Sequence, residues 1–186
     1  MKPKRLFAQN VMALCCILGM ISKKILNPFA NVITEALHIP GGISTGFSIM
    51  FLVIGTELVR QAYCGTKMGT VQGFLALALG RVGSMGALSP LGYILPGLAI
   101  DLIYRLPVCR RASRTTRMML ANSLAAVTAS ITANLIVFHL PGTVLWLYLC
   151  VSMLCGSLYG ILAAGIAARL DAVFNQYRNK AEGLRV

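Results

Sequence analysis
Residues able to do chemistry are scarce in this sequence: 5 Asp+Glu and 2 His stand among 186 residues. Asp101 lies inside an apolar run, PGLAIDLIY. An ionisable group at membrane depth is costly unless paired or hydrated. Its presence there calls for either a functional role or a polar contact between helices. Arg105, one helical turn further on, is within reach of it. Glu57 ends the run IGTELVR, one turn from Arg60 and Gln61, and suits a local ion pair.

Three further groups qualify as binding residues. The segment NPFANVITEALHIPGG, residues 27 to 42, carries Asn27, Asn31, Thr34, Glu35 and His38. Over residues 29 to 37, Phe29, Val32, Ile33 and Leu37 share one face of a helix. Glu35 and His38 would then stand one turn apart, with Pro40 and Gly41-Gly42 as a hinge. Arg81 precedes a glycine-rich stretch with Ser84 and Ser89. Exposed backbone N–H groups beside an arginine suit a carboxylate or phosphate. Asn134, His139, Trp146 and Tyr148 gather around a short HLPG connection. There they serve as interfacial anchors or stack on a flat ring. Against catalysis, the sequence has no H-E-x-x-H, no acidic pair with metal spacing and no G-x-S-x-G. The expectation is a non-enzyme, with no cofactor and no resident metal. The six cysteines lie mostly in apolar runs and form no CxxC pair, so they read as small hydrophobes.

The elements that position these residues follow from composition. The chain is 57% hydrophobic and 12% charged, against about 25% charged in a soluble domain, and its mean hydropathy is +0.76. Lipid is therefore the expected solvent. Six apolar stretches are predicted to be helices: Leu6 to Leu26, Ile43 to Val59, Met68 to Val82, Leu91 to Leu106, Met118 to Phe138 and Thr143 to Leu170. The third and fourth are short and glycine-rich. The first follows Lys2, Lys4 and Arg5, as a signal peptide would, but lacks a small-residue cleavage site and is read as a retained helix.

Charge placement orients this bundle. With a cytoplasmic N-terminus the inner side holds Lys2, Lys4, Arg5, Arg60, Lys67, Arg105, Arg110, Arg111, Arg114, Arg117, Arg169, Arg178, Lys180 and Arg185, which is 14 of the 17 Lys+Arg. The outer side holds Lys23, Lys24 and Arg81. The net charge of +12 thus reports topology and contact with anionic lipid rather than nucleic acid. The expected fold is all-α: a single-domain integral membrane bundle, residues 1–186, of six transmembrane helices with both termini cytoplasmic, in the plasma or inner membrane. A four-span alternative would leave Phe74 to Leu79 and Leu91 to Ile103 unexplained. Small residues repeat every four positions at Ala121, Ala125, Ala129 and Ala133, and again at Gly156, Gly160 and Ala164, which permits close helix approach.

With its length, six spans, long first outer connection and the stretches IPGGISTGFSIMFLVIGTELV (39 to 59) and GTVQGFLALALGRVGSMGALSPLGYILPGLAIDLIY (69 to 104), nearly the whole chain resembles the substrate-binding S components of energy-coupling factor (ECF) vitamin transporters. The resemblance implies capture of a vitamin or precursor at the outer side, under the first connection. Delivery would follow by toppling against a transmembrane T subunit powered by two cytoplasmic ATPases. It further implies a substrate site among Glu35, His38, Arg81, Asn134, His139, Trp146 and Tyr148. The family docks on its T subunit through an AxxxA signature in the first helix. Here LFAQNVMALCCILG places Ala8 and Ala13 five apart, with Met12 where the second alanine would stand. Metal-transporting members begin with a Met-His ligand set, whereas this chain begins MKPKR, so a metal substrate is not expected. The alternatives are an autonomous small permease or channel, or a membrane assembly subunit.

Overall fold
The computed structural model describes the backbone of residues 3–37, 43–80 and 83–183, and the side chains of 6–30, 32, 43–80 and 85–174. Its helices are α1 (Pro3–Leu37), α2 (Ile43–Val59), α3 (Cys64–Ala78), α4 (Leu91–Arg105), α5 (Pro107–Arg111), α6 (Arg114–Ala133) and α7 (Gly142–Gly183). A 3-10 segment, Gly83–Leu88, precedes α4, and a π-helical turn, Asn134–Phe138, extends α6. No strand occurs among the described residues. Four stretches are long and apolar enough to cross a membrane: Leu6–Ala30, Met85–Arg105, Arg114–Phe138 and Gly142–Phe174. Their outward faces are apolar, with Leu135 and Leu158 each 67% exposed. The protein is a membrane-embedded helical bundle.

The remaining three helices are shorter, α5 having only 5 residues. α2 has 17 residues and α3 has 15, about 26 and 22 Å at 1.5 Å per residue, below the roughly 30 Å of a hydrocarbon core. α2 nevertheless occupies the middle of the bundle. Met50, Leu52, Val53 and Ile54 are buried, and α2 contacts α1, α3, α4, α6 and α7. Such all-round burial explains why its sequence shows a continuous apolar run instead of one apolar stripe.

Two expectations are corrected. The first helix does not end near Leu26; α1 continues through Pro28 to Leu37, so much of the expected outer connection is helical. Proline removes one intrahelical hydrogen bond. The apolar spacing of Phe29, Val32, Ile33 and Leu37 continues the helical period beyond it. The third helix begins at Cys64 rather than Met68 and ends at Ala78 rather than Val82. Its start is set by a contact from α4, described below. The expected Pro40-Gly41-Gly42 hinge lies outside the described residues.

Glycine sets how closely the helices approach. On α3, Gly65, Gly69 and Gly73 face α4. A methyl group added at Gly65 would lie 2.7 Å from the Gly97 carbonyl oxygen, and one at Gly73 would lie 2.9 Å from Pro90 Cα. One at Gly69 would overlap the Tyr93 carbonyl. The pair α6 and α7 uses the same device. Gly156 and Gly160 sit against the backbone of Ser123 and Met119, with added methyls at 2.8 and 2.6 Å. Ala121 and Ala125 are fully buried and Ala129 nearly so. These small-residue faces are packing surfaces inside the bundle.

Candidate functional site
One end of the bundle gathers the start of α3, the ends of α2 and α4, α5 and the start of α6. Arginines converge there, and both buried carboxylates of α2 and α4 lie among them. Glu57 is 1% exposed. A buried charge needs partners, and Glu57 has three. Arg60 approaches Oε1 at 3.1 Å, Arg114 Nε the same oxygen at 3.4 Å, and Arg117 Nη2 donates to both oxygens at 3.0 Å. Arg114 also bonds Asp171 of α7 at 2.6 Å. One carboxylate thereby ties α2 to α6, and α6 in turn to α7. The expected Glu57–Arg60 pair is present. Arg114 and Arg117 were not legible as partners. Their spacing places them on one face of α6, but their carboxylate stands 57 and 60 positions away.

Asp101 makes the polar contact between helices that was one of its two expected roles, but its partner is α3 and not Arg105. Its oxygens accept from Gly65 N at 3.0 Å, Thr66 N at 2.7 Å and Thr66 Oγ1 at 2.6 Å. The first N–H groups of a helix have no intrahelical acceptor. α3 has no side-chain cap of its own, so a carboxylate on α4 caps it from outside, where negative charge also suits the helix dipole. Arg105 makes no ion pair with Asp101. Its guanidinium lies 3.6 Å from the Tyr63 ring centroid instead.

The connection between α2 and α3 holds this arrangement. Arg60 and Tyr63 adopt left-handed backbone conformations, φ 50° and 57°, which are unfavourable for side chains bearing a Cβ. These turns lay Arg60 back over Glu57 and place the Tyr63 ring beneath Arg105. Between them lies a cavity of about 520 Å³ bordered by Glu57, Arg60, Tyr63, Asp101, Tyr104, Arg105, Arg110 and Arg117.

At the opposite end the described members of the expected substrate set, Asn134, His139, Trp146 and Tyr148, do not converge on one site. Asn134 is buried and its Oδ1 accepts from Leu140 N at 2.8 Å, so it closes the turn after α6. His139 is exposed in a left-handed conformation, φ 47°. Trp146 is 72% exposed and faces outward, as an interfacial anchor would. Tyr148 is buried and meets Phe138 edge to face, centroids 6.3 Å apart. Trp146 and Tyr148 stand two apart on one helix and so point to different faces. His38 and Arg81, and the side chain of Glu35, lie outside the described residues. Of the expected docking residues, Ala8 is buried within the bundle, Met12 is half-buried and Ala13 is exposed. An external partner on this helix would meet Ala13.

Four cysteines, Cys15, Cys16, Cys64 and Cys109, are buried among apolar neighbours, and all six are free thiols. No cluster of three or more His, Cys, Asp or Glu able to hold a metal occurs among the described residues. Fold and polar groups together define a class: a helical membrane bundle whose one end is locked by arginine–carboxylate contacts. No protein-family model, curated protein or solved structure matches the chain.

Proposed function
We infer that this chain is the substrate-binding membrane subunit of an energy-coupling-factor importer. On this reading it spans the plasma membrane six times with both termini cytoplasmic. It captures a vitamin or related micronutrient at the outer face and delivers it by toppling against a T subunit driven by two ATPases. The observation that carries the reading is a step in the bundle. α2 begins at Ile43, about one turn beyond the level where the Gly46 carbonyl accepts from Asn122 Nδ2. From Asn122 the α6 backbone continues to Asn134, about 18 Å at 1.5 Å per residue. The end opposite the arginines is therefore built without α2. In sequence the polar segment of residues 27–42 comprises the last part of α1 and the connection that leads to α2. On this reading the segment closes a ligand chamber whose charged groups are Glu35, His38 and Arg81.

The arginine end supports the same reading. Glu57 and Asp101 are held by three arginines and by the α3 backbone, an arrangement suited to a rigid body that moves as a whole. The short α2 and α3 are accommodated by local thinning of the bilayer. The test is uptake in cells of radiolabelled vitamins, tried singly, with this chain expressed alone or together with a T subunit and two ATPases. Concentrative uptake is expected only with the full set, accompanied by co-purification of the T subunit. Accumulation against a gradient by this chain alone would reject the reading in favour of an autonomous permease.

A further inference from the structure
The cavity at the arginine end takes no part in the substrate site proposed above, and its chemistry is specific. Four arginines and two carboxylates border it, an excess of two positive charges. Both carboxylates are already engaged, Glu57 by arginines and Asp101 by Gly65 and Thr66. Among the described residues, Arg105 and Arg110 have no carboxylate partner. The Arg105 guanidinium lies against the Tyr63 ring, an arrangement that orients a cation while leaving N–H groups at its rim. Two donors bordering this site, the Tyr104 hydroxyl and Arg117 Nε, are buried without a well-formed hydrogen bond, the hydroxyl facing the already engaged Glu57. Buried donors without acceptors cost free energy, as do the left-handed Arg60 and Tyr63 in the border of the same cavity. An acceptor-rich anion would satisfy the donors and neutralise the excess charge.

Position indicates the source of that anion. Arg105 is the last residue of one membrane-capable stretch and Arg114 the first of the next, so the cavity lies at the level where lipid phosphates begin. Leu102, Leu106 and Val108, close to Arg105 in sequence, are 55%, 41% and 81% exposed, apolar surface suited to acyl chains. We propose that this cavity is a phosphoryl-binding site filled by the headgroup of an anionic membrane lipid, with Arg105 and Arg110 as the principal ligands. Arginine forks match phosphate oxygens in pairs, and basic pockets at the cytoplasmic ends of helices suit anionic headgroups. The lipid proposal rests on the orientation proposed above, arginine end inward, and not on what the protein transports.

The test uses the full chain in nanodiscs of phosphatidylcholine, alone or with increasing phosphatidylglycerol, and follows the unfolding temperature. Phosphatidylglycerol is expected to raise it in the parent. In Arg105→Gln/Arg110→Gln the half-saturating fraction should rise about tenfold or more, as loss of charge-assisted bonds implies. Lys24→Gln, at the other end of the bundle, should titrate like the parent. Inorganic phosphate added to phosphatidylcholine discs separates the sources. Stabilisation by phosphate but not by phosphatidylglycerol would keep the phosphoryl site and reject the lipid. Stabilisation by neither overturns the proposal, as does a phosphatidylglycerol effect that survives intact in the double variant. Both arginines are exposed and, among the described residues, unpaired with carboxylates, so the variant should fold. Tyr63→Leu, which removes the ring behind Arg105, provides a second variant that should weaken the same titration.

Discussion

Replacing Asp101 with asparagine tests whether this residue holds α3 to α4. The carboxylate accepts three hydrogen bonds, one on Oδ1 and two on Oδ2. Asparagine can keep its carbonyl oxygen toward Thr66, but its amide then faces the Gly65 N–H, donor against donor. Losing one charge-assisted bond costs about 1.5–3 kcal/mol, and the two that remain weaken toward the neutral range of about 0.5–1.5 kcal/mol. The helix N-terminus loses a further ~0.3–1 kcal/mol of favourable dipole interaction. Allowing for incomplete additivity, the loss should be about 3 kcal/mol. For a chain of this size, each kcal/mol shifts the unfolding temperature by about 2–4 °C, so a fall of about 6–12 °C is expected. Thermal unfolding of the purified protein in a neutral detergent measures it. Arg105→Gln is the decisive control, because Arg105 lies one turn from Asp101 yet makes no ion pair with it. Without anionic lipid it should shift stability by no more than about 0.5 kcal/mol. If Asp101→Asn unfolds like the parent, or Arg105→Gln reproduces its loss, the capping account fails.

Other outcomes follow from the same contacts. Glu57→Gln leaves Arg60, Arg114 and Arg117 crowded around a neutral group and should cost about 3–5 kcal/mol, read from the same unfolding curves. Arg60→Gln should cost much less, because the Arg60 side chain is 68% exposed and exposed pairs contribute about 0–1 kcal/mol. Gly160→Leu forces α7 away from the Met119 backbone and should lower the unfolding temperature strongly, whereas Gly165→Ala, with open space around it, should be near neutral. In single-cysteine variants, an impermeant reagent applied outside the cell should label positions 35 and 87 and spare 113. Labelling of 113 from outside would invert the orientation.

By itself the sequence determined the all-helical, membrane-embedded class and the bounds of some helices. Hydropathy is a sum over neighbouring residues, so the apolar runs of α2 and α4 were legible with starts at Ile43 and Leu91 where the structure has them. The four-residue repeats of alanine and glycine on α6 and α7 were equally local and marked faces that the structure buries. Tertiary structure decided where the charges act. Asp101 and Thr66 are 35 positions apart, Glu57 and Arg117 are 60 apart, and no local period relates them. Only the close approach of α3 and α4 along glycine brings a carboxylate to the N-terminus of α3, moving its start to Cys64. The same holds at the opposite end, where Trp146 and Tyr148 looked like neighbours in sequence. Helical geometry sends one outward and the other into the bundle, because residues two apart on a helix face different surroundings.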